Sequence, residues 1–591
     1  VFIRSLAAWL LALCSAQVLA VEPLPADLET ALREILHDSS VKGAAVALIE
    51  RGQPTRLFTH GQSDDGPINA SSCFRAGSLS KTFTALLAVR LAEQGRFDLQ
   101  APLPEELQPR SPTQCAAEVN AAHLLEHTAG LAGSNHADYG RQIASASPSA
   151  LAHEVQARAL RWCPGQHFSY ANDGYLLLAA ALESATGESF DSLMREEVFE
   201  PLGMATATFA TTDMPACLSA SYSAHGEPIE PWLLAARPAG ALIARPVELA
   251  ALAQLLLNEG KPLLSAAALA RMGGGHTALA AKAGLAQSAY GLGLFHFTAG
   301  GGLLTGHWGR IDGFQTTLGV SPDTGRGMVI MLNTADRQAM QRLRETLATY
   351  LLRGLVRSAP PPAVAGDART AGWFANYSHD MPLRAPWVAL FDLRIVTPNA
   401  EGVHVTSAWP WGASRQLLGE TSTRFREADL PLATAAYWSD AQGDWWLEGE
   451  SYRRVEPWWA LVQMSALLAG LAAALIALLR GIWVFVHSTQ RSRGGDLWLA
   501  LSAASLLFTL AGYAWWGLFD GWNQLASLGQ VSIASLALLL ASLLAPLALA
   551  IGLWHWQGAR PGLWRMLVVG LATLIVLLTF YGWLPLVTWR A

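Results

Sequence analysis

The sequence predicts an α+β domain, then a small antiparallel β domain, then a transmembrane region of four helices. Helical and strand patterns alternate along residues 21–358. Apolar and polar positions alternate between Gly, Pro, Asn and Asp turns over 367–455, as in half-buried strands. Past residue 457 come four long runs without a charge. At 591 residues the chain is too long for one ordinary domain, and a charged fraction of 15% is low for a wholly soluble protein.

Each segment has its own justification. Residues 1–20 place Arg4 before an apolar core that ends in Val18-Leu19-Ala20. This reads as a secretory signal cleaved after Ala20, with an uncleaved anchor as the alternative. In the block 21–358, DLETALREIL has helical spacing and GAAVALIERG follows as a short strand. RGMVIMLN, at 326–333, is a second strand, and DRQAMQRLRETLATYLLRGLV is a closing amphipathic helix. One sheet is expected to unite the two ends of the block. Residues 359–366, APPPAVAG, read as a Pro-rich linker, because three successive prolines cannot continue a helix. The β domain at 367–455 is expected to be a barrel or a sandwich and shows no catalytic set.

The four apolar runs cover about 459–479, 497–519, 531–554 and 566–584, within a region 457–586. Tryptophans at their ends, such as Trp458, Trp459, Trp554 and Trp583, suit the interfaces of a lipid bilayer. Arg480, Arg491 and Arg493 fall in the first loop and Arg560 and Arg565 in the third, while the second has no positive charge. The first and third loops are therefore expected in the cytoplasm. That puts a multi-pass protein in the cell membrane with its N-terminal block on the extracytoplasmic, periplasmic side. The runs lack the central charges of a transport pathway, so anchoring is the first expectation, with sensing or partner binding as the alternative.

Net charge is −6 and no basic run occurs, which excludes a nucleic-acid partner. Beyond the leader, Cys73, Cys115, Cys163 and Cys217 permit one or two disulfides in three full pairings, or buried free thiols. Their spacing is wrong for zinc, and no phosphate loop is present, so neither metal nor cofactor is expected.

Lysine occurs only at positions 42, 81, 261 and 282, which makes Ser78-Leu-Ser-Lys81 conspicuous. A serine hydroxyl needs a base to become a nucleophile. A lysine three residues later on one helix sits on the same face, and burial lowers its pKa so that it can serve. The helix start adds backbone N–H groups that favour developing negative charge. Ser39 and Lys42 have the same spacing but straddle a helix end and a strand start, so they need not face each other.

GSLSK followed by an apolar helix resembles the active-site helix of serine β-lactamases and penicillin-binding proteins. Two further elements follow in order. Tyr170-Ala-Asn172 looks like the Tyr-x-Asn element of the class C β-lactamase group, and His307-Trp-Gly309 resembles the His-x-Gly form of its Lys-Thr-Gly strand element. AAHLLEHTAGLAG (121–133) and YGLGLF (290–295) look like recurring family segments. The resemblance covers residues 25–350 and implies an antiparallel sheet flanked by helices.

It also implies roles. Ser78 would be acylated, Lys81 and Tyr170 would share proton transfer, and Asn172 would orient Lys81 and the substrate amide. The backbone N–H groups of Ser78 and Arg310, beside Gly309, would form the oxyanion hole. His307 would contact the substrate or tune Tyr170. Histidine in place of lysine weakens carboxylate recognition, and similar His-x-Gly proteins are often esterases or peptidases of D-amino-acid substrates. Two readings follow: a membrane-anchored serine hydrolase of esters, amides or D-amino-acid peptides, and a penicillin-binding or sensor protein acylated without turnover. Asn172 as a mere helix N-cap and His127 as a loop-shaping residue are the structural alternatives at those positions.

Overall fold

The structure of the chain is a computed structural model. It describes residues 21–64, 66–111, 115–131, 147–157, 159–209, 213–231, 234, 236–355, 361–378, 388, 390–487, 494–515, 528, 531–555 and 562–586. The segment read as a leader, 1–20, lies outside the described residues, as do Arg491, Arg493 and Arg560.

The first domain is built on one sheet. Its main strands are β1 (Gly43–Glu50), β2 (Thr55–Ser63), β3 (Phe295–Ala299), β4 (Gly302–Ile311), β5 (Phe314–Ser321) and β6 (Arg326–Leu332). They run in the order β2-β1-β6-β5-β4-β3. β1 lies antiparallel to β6, with Ala47 opposite Val329, so the two ends of the domain meet in the middle of the sheet.

Strand periodicity explains why β1 is apolar throughout. Val46 and Leu48 face a layer formed by α1 (Ala26–His37) and the helix Arg337–Leu351, through Leu28, Leu32, Leu343 and Leu347. Ala45, Ala47 and Ile49 face the larger helical layer, which holds α2 (Ser80–Glu93), α3 (Asn172–Thr186) and α4 (Pro246–Leu257). The helix Arg337–Leu351 becomes α5.

Eight further strands, β7 to β14, close into a barrel: Gly372–Asn376, Leu393–Asn399, Gly402–Ser407, Ser414–Gly419, Arg424–Arg426, Ala435–Asp440, Gly443–Glu448 and Glu450–Val455. β7 pairs with β14, which leaves no open edge, and Phe374, Val405, Leu417, Phe425 and Trp446 fill the interior. In the segment read as a linker, Val364 N–H donates to Gly419 O and Gly366 N–H to Asn399 O, so its described part is held against the barrel.

Trp445, Leu447 and Ala436 of the barrel pack on Leu279 and Leu285 of the first domain. On another side Leu393 and Trp409 pack on Ala460 and Met464 of the next helix.

That helix, α6, is Pro457–His487, followed by α7 (Gly494–Ala514), α8 (Ile533–Trp554) and α9 (Gly562–Phe580). All four are long and apolar enough to cross a membrane. Here the loop assignments of Arg480 and Arg565 need correction, because α6 continues through Arg480 to His487 and Arg565 falls in the first turn of α9. The Arg480 charge is met by Asp496 in the first turn of α7, 3.0 Å away, and the apolar IWVFV stretch lets α6 run on.

The cysteines form two bridges, Cys73–Cys217 and Cys115–Cys163, across sequence separations of 144 and 48. The first closes the longer loop and therefore restricts the unfolded chain more. Replacing Cys73 and Cys217 by serine is expected to cost about 2–5 kcal/mol. Denaturant unfolding of the solubilised chain with the other bridge intact checks this, and an unchanged midpoint would count against it.

Candidate active site

Ser78 stands in a single 3-10 turn, Gly77–Leu79, that leads directly into α2. Two side effects of the local sequence hold the turn. Gly77 has φ +55°, which favours glycine, and Ser80 bridges the turn to a neighbouring strand: its hydroxyl donates to Gly77 O (2.6 Å) and accepts from Leu242 N–H (3.0 Å). Ser80 is thus a brace. The segment just before it is tied down by the Cys73–Cys217 bridge and by a buried ion pair, Arg75 with Asp312, at the β4–β5 turn.

β4 lies against this turn, backbone to backbone. A Cβ on Gly309 would sit 2.0 Å from Ala76 O and 2.7 Å from Ser78 N, and one on Gly77 would sit 2.6 Å from Arg310 N. No side chain fits at either place. β3 pairs with β4 only as far as Gly306, so residues 307–311 extend past it along the site.

The polar residues that open α2 are buried, and three of them each tie the helix to a separate segment. Thr82 donates to Gly293 O (2.7 Å) and Thr84 to Pro238 O (2.7 Å). Lys81 is the central one. Its Nζ lies 2.7 Å from Asn172 Oδ1, 2.8 Å from Ala239 O and 3.2 Å from Ser78 Oγ. Burial pushes its pKa well below the ordinary lysine value. A neutral amine suits this cage: two N–H groups go to the two carbonyl oxygens, and the lone pair faces the Ser78 hydroxyl. The arrangement can therefore accept the Ser78 proton.

Asn172 is the first residue of α3, after the N-cap position Ala171, so its side chain serves Lys81 and does not cap the helix. The Tyr170 ring centroid is 4.7 Å from Lys81 Nζ. The same ring meets His127 at 4.2 Å between centroids. His127 has φ +57°, and its Nδ1 accepts from Ala171 N–H (3.1 Å) while its carbonyl accepts from Ser169 N–H (2.8 Å). Burial above all holds its pKa well below the usual value. His127 thus grips both sides of Tyr170.

His307 is 2% exposed. Its Nδ1 donates to Trp308 O (2.6 Å), which leaves Nε2 to accept from the Tyr290 hydroxyl (2.7 Å). Both ring nitrogens are engaged within the wall, so the expected reach to a substrate is not seen in this arrangement. The structure brings Ser78, Lys81, Tyr170, Asn172, Gly309 and the Arg310 backbone together, with His307 behind them. Two groups were missed in the sequence. Tyr290 stands in the quoted YGLGLF segment but was given no role, and Ala239 acts through its carbonyl, which any residue carries.

Burial above all pushes His307 down to about 3 from 6.5. The unfolded chain then binds a proton that the folded one refuses, so stability falls as pH drops from 6.5 toward 3. His307→Gln is expected to flatten that slope, the wild type losing on the order of 2 kcal/mol more between pH 7 and about 4. Equal slopes in paired denaturant titrations would contradict the burial argument.

Parts of the chain are similar to known proteins. A segment of 172 residues is 32% identical to "Penicillin-binding protein 4" of Amycolatopsis lactamdurans, covering 28% of this chain and 44% of that one. A segment of 183 residues is 28% identical to the D-alanyl-D-alanine-carboxypeptidase/endopeptidase AmpH of Escherichia coli K12, covering 30% and 47%. The chain thus spans about half the length of the curated relatives it matches. The solved structure "Crystal structure of SurE" is similar with 22% identity and a TM-score of 0.49, over 73% of this chain and 98% of that one. Most directly, the family profile named Beta-lactamase matches residues 28–352, which include the six main strands of the sheet and every residue of the site described above. The chain belongs to the Beta-lactamase family, whose members are serine hydrolases.

Proposed function

We propose that the chain is a membrane-anchored serine hydrolase that works through an acyl-enzyme on Ser78, with an ester, an amide or a D-amino-acid peptide as substrate. The observation that carries this reading is the buried Lys81 amine, 3.2 Å from Ser78 Oγ and otherwise bonded only to two uncharged carbonyls.

The Ser78 oxygen attacks the substrate carbonyl carbon as its proton passes to Lys81. Negative charge gathers on the carbonyl oxygen, facing the N–H groups of Ser78 and Arg310. The proton then goes to the leaving nitrogen or oxygen, with Tyr170 between Lys81 and that atom, as the carbonyl-to-leaving-group bond breaks. Water attacks the acyl group in the second half, and its proton retraces the path to restore Ser78. Asn172 holds Lys81, while His307 and Tyr290 act only as wall. The match to AmpH, named as a D-alanyl-D-alanine-carboxypeptidase/endopeptidase, supports a D-amino-acid peptide as the first substrate to test. The match to a protein named penicillin-binding protein supports the second reading, acylation without turnover.

The four apolar helices support anchoring in the bilayer. Two disulfides suit an oxidising compartment, and with the arginines at and between the helix ends they support an extracytoplasmic, periplasmic catalytic domain.

Labelling by a fluorescent penicillin and a fluorescent fluorophosphonate, followed over time, tests the proposal. Label that needs Ser78 and decays is the expected result. Persistent penicillin label would favour the second reading, and label retained by Ser78→Ala would sink both. Lys81→Met and Tyr170→Phe are expected to slow acylation by roughly 10²–10⁴-fold. Gly309→Ala should slow it by at least ~10²-fold while circular dichroism stays unchanged, because the added carbon would separate β4 from the Ser78 turn. A wild-type rate in that variant would refute the backbone-contact argument.

A further inference from the structure

The pleat of β4 turns alternate side chains to opposite faces. His307 and Gly309 face the site. Trp308 and Arg310 face the other way, toward α5, where a cleft of about 190 Å³ opens between the sheet and that helix. This is many times the volume one water needs. Three guanidinium groups line it: Arg310 from β4, and Arg337 and Arg344 from α5.

Among the described residues none of the three forms an ion pair with a carboxylate. The three acidic groups nearest in sequence are occupied elsewhere, Asp312 by its ion pair with Arg75. Asp336 accepts from Ser40 and from Ala339 N–H, and Glu345 accepts from Gly300 N–H (2.7 Å). Arg344 stacks its guanidinium over Trp308 at 5.7 Å, and its Nε is buried without a hydrogen-bond partner. Burial, then the Arg337 charge, lower the pKa of Arg310, so the two cations stand close enough to repel. Like charges gathered without a counter-charge cost stability, and an anion placed among them would reverse that cost.

We propose that this cleft binds a phosphate group, whether as the free ion or at the end of a phosphomonoester. Three planar donor forks, with Thr317 and Gln341 on the same walls, present more N–H groups than the two oxygens of a carboxylate can accept, while the oxygens of a phosphate can meet all three. The site lies on the reverse of the strand that borders Ser78. Arg310 belongs to both: its side chain lines the cleft, and its backbone nitrogen lies where a Cβ on Gly77 would come within 2.6 Å. The proposal stands independently of the hydrolase reading.

Calorimetric titration of the full chain in detergent with inorganic phosphate, glycerol phosphate and acetate tests it, comparing wild type with the double variant Arg337→Gln/Arg344→Gln. Phosphate is expected to bind the wild type and to bind the variant roughly a hundredfold more weakly, with acetate much weaker than phosphate. Unfolding temperatures without phosphate confirm that the variant is folded. Competition by glycerol phosphate would identify a phosphomonoester as an accepted source, and its failure would restrict the site to the free ion. Equal affinity in the variant, acetate as tight as phosphate, or no phosphate binding to the wild type at about 10 mM would each overturn the proposal.

Discussion

Where β4 meets the turn that carries Ser78, two stretches of main chain touch with nothing between them. Gly309 lies over Ala76 and Ser78, and Gly77 lies under Arg310, at distances that exclude even a methyl group. Most of the local structure serves this contact. The Cys73–Cys217 bridge, the Arg75–Asp312 pair and the Ser80 hydroxyl all restrain the five or so residues before α2. They act from three directions, covalently, electrostatically and by hydrogen bonding. The result is a pair of backbone N–H groups placed by main chain alone, free of rotamer entropy.

Lys81 shows the second constraint. It is fully buried, and among the described residues no carboxylate pairs with it, so loss of water favours the neutral amine and makes an ammonium there destabilising to the fold. Between the lowered native pKa and the ordinary value, stability rises with pH, because the unfolded chain binds the proton more readily. A carboxylate partner at this place would hold the amine protonated and would ruin the base. The same reasoning separates the two histidines from chemistry: His127 and His307 are held neutral by burial and used for their shape and their acceptor nitrogens.

Much of this was legible in the sequence, for physical reasons that differ by element. β1 and β6 are continuous apolar runs because both of their faces are covered, and such runs are easy to see. The barrel strands alternate with a period of two because one side faces the interior. Ser78 and Lys81 stand out because a polar pair at helix spacing, just ahead of an apolar helix, does nothing for the packing of that helix. What could not be read was contact across long separations. Ala239 offers only a carbonyl, and no side chain marks it. His307 was expected to contact the substrate or tune Tyr170 because a motif fixes its position in a strand, whereas its ring orientation depends on Tyr290, 17 residues away. Arg480 looked like a loop residue because a charge ends an apolar run, but its partner Asp496 lies 16 residues on, in another helix.

The barrel has a mechanical consequence. Its last strand ends at Val455 and α6 begins at Pro457, so the connection is too short to act as a hinge. On its other side it is fixed to the first domain by apolar packing around Trp445, close to His167 and hence to the segment that carries Tyr170. With the helices in a bilayer, as proposed, such a closed barrel behaves as a stiff pedestal. It would hold the mouth of the cleft at one height above the lipid, and the protein would search for substrate in two dimensions. Selectivity would then come partly from altitude: material anchored at that level is met repeatedly, and material elsewhere in the envelope is passed by.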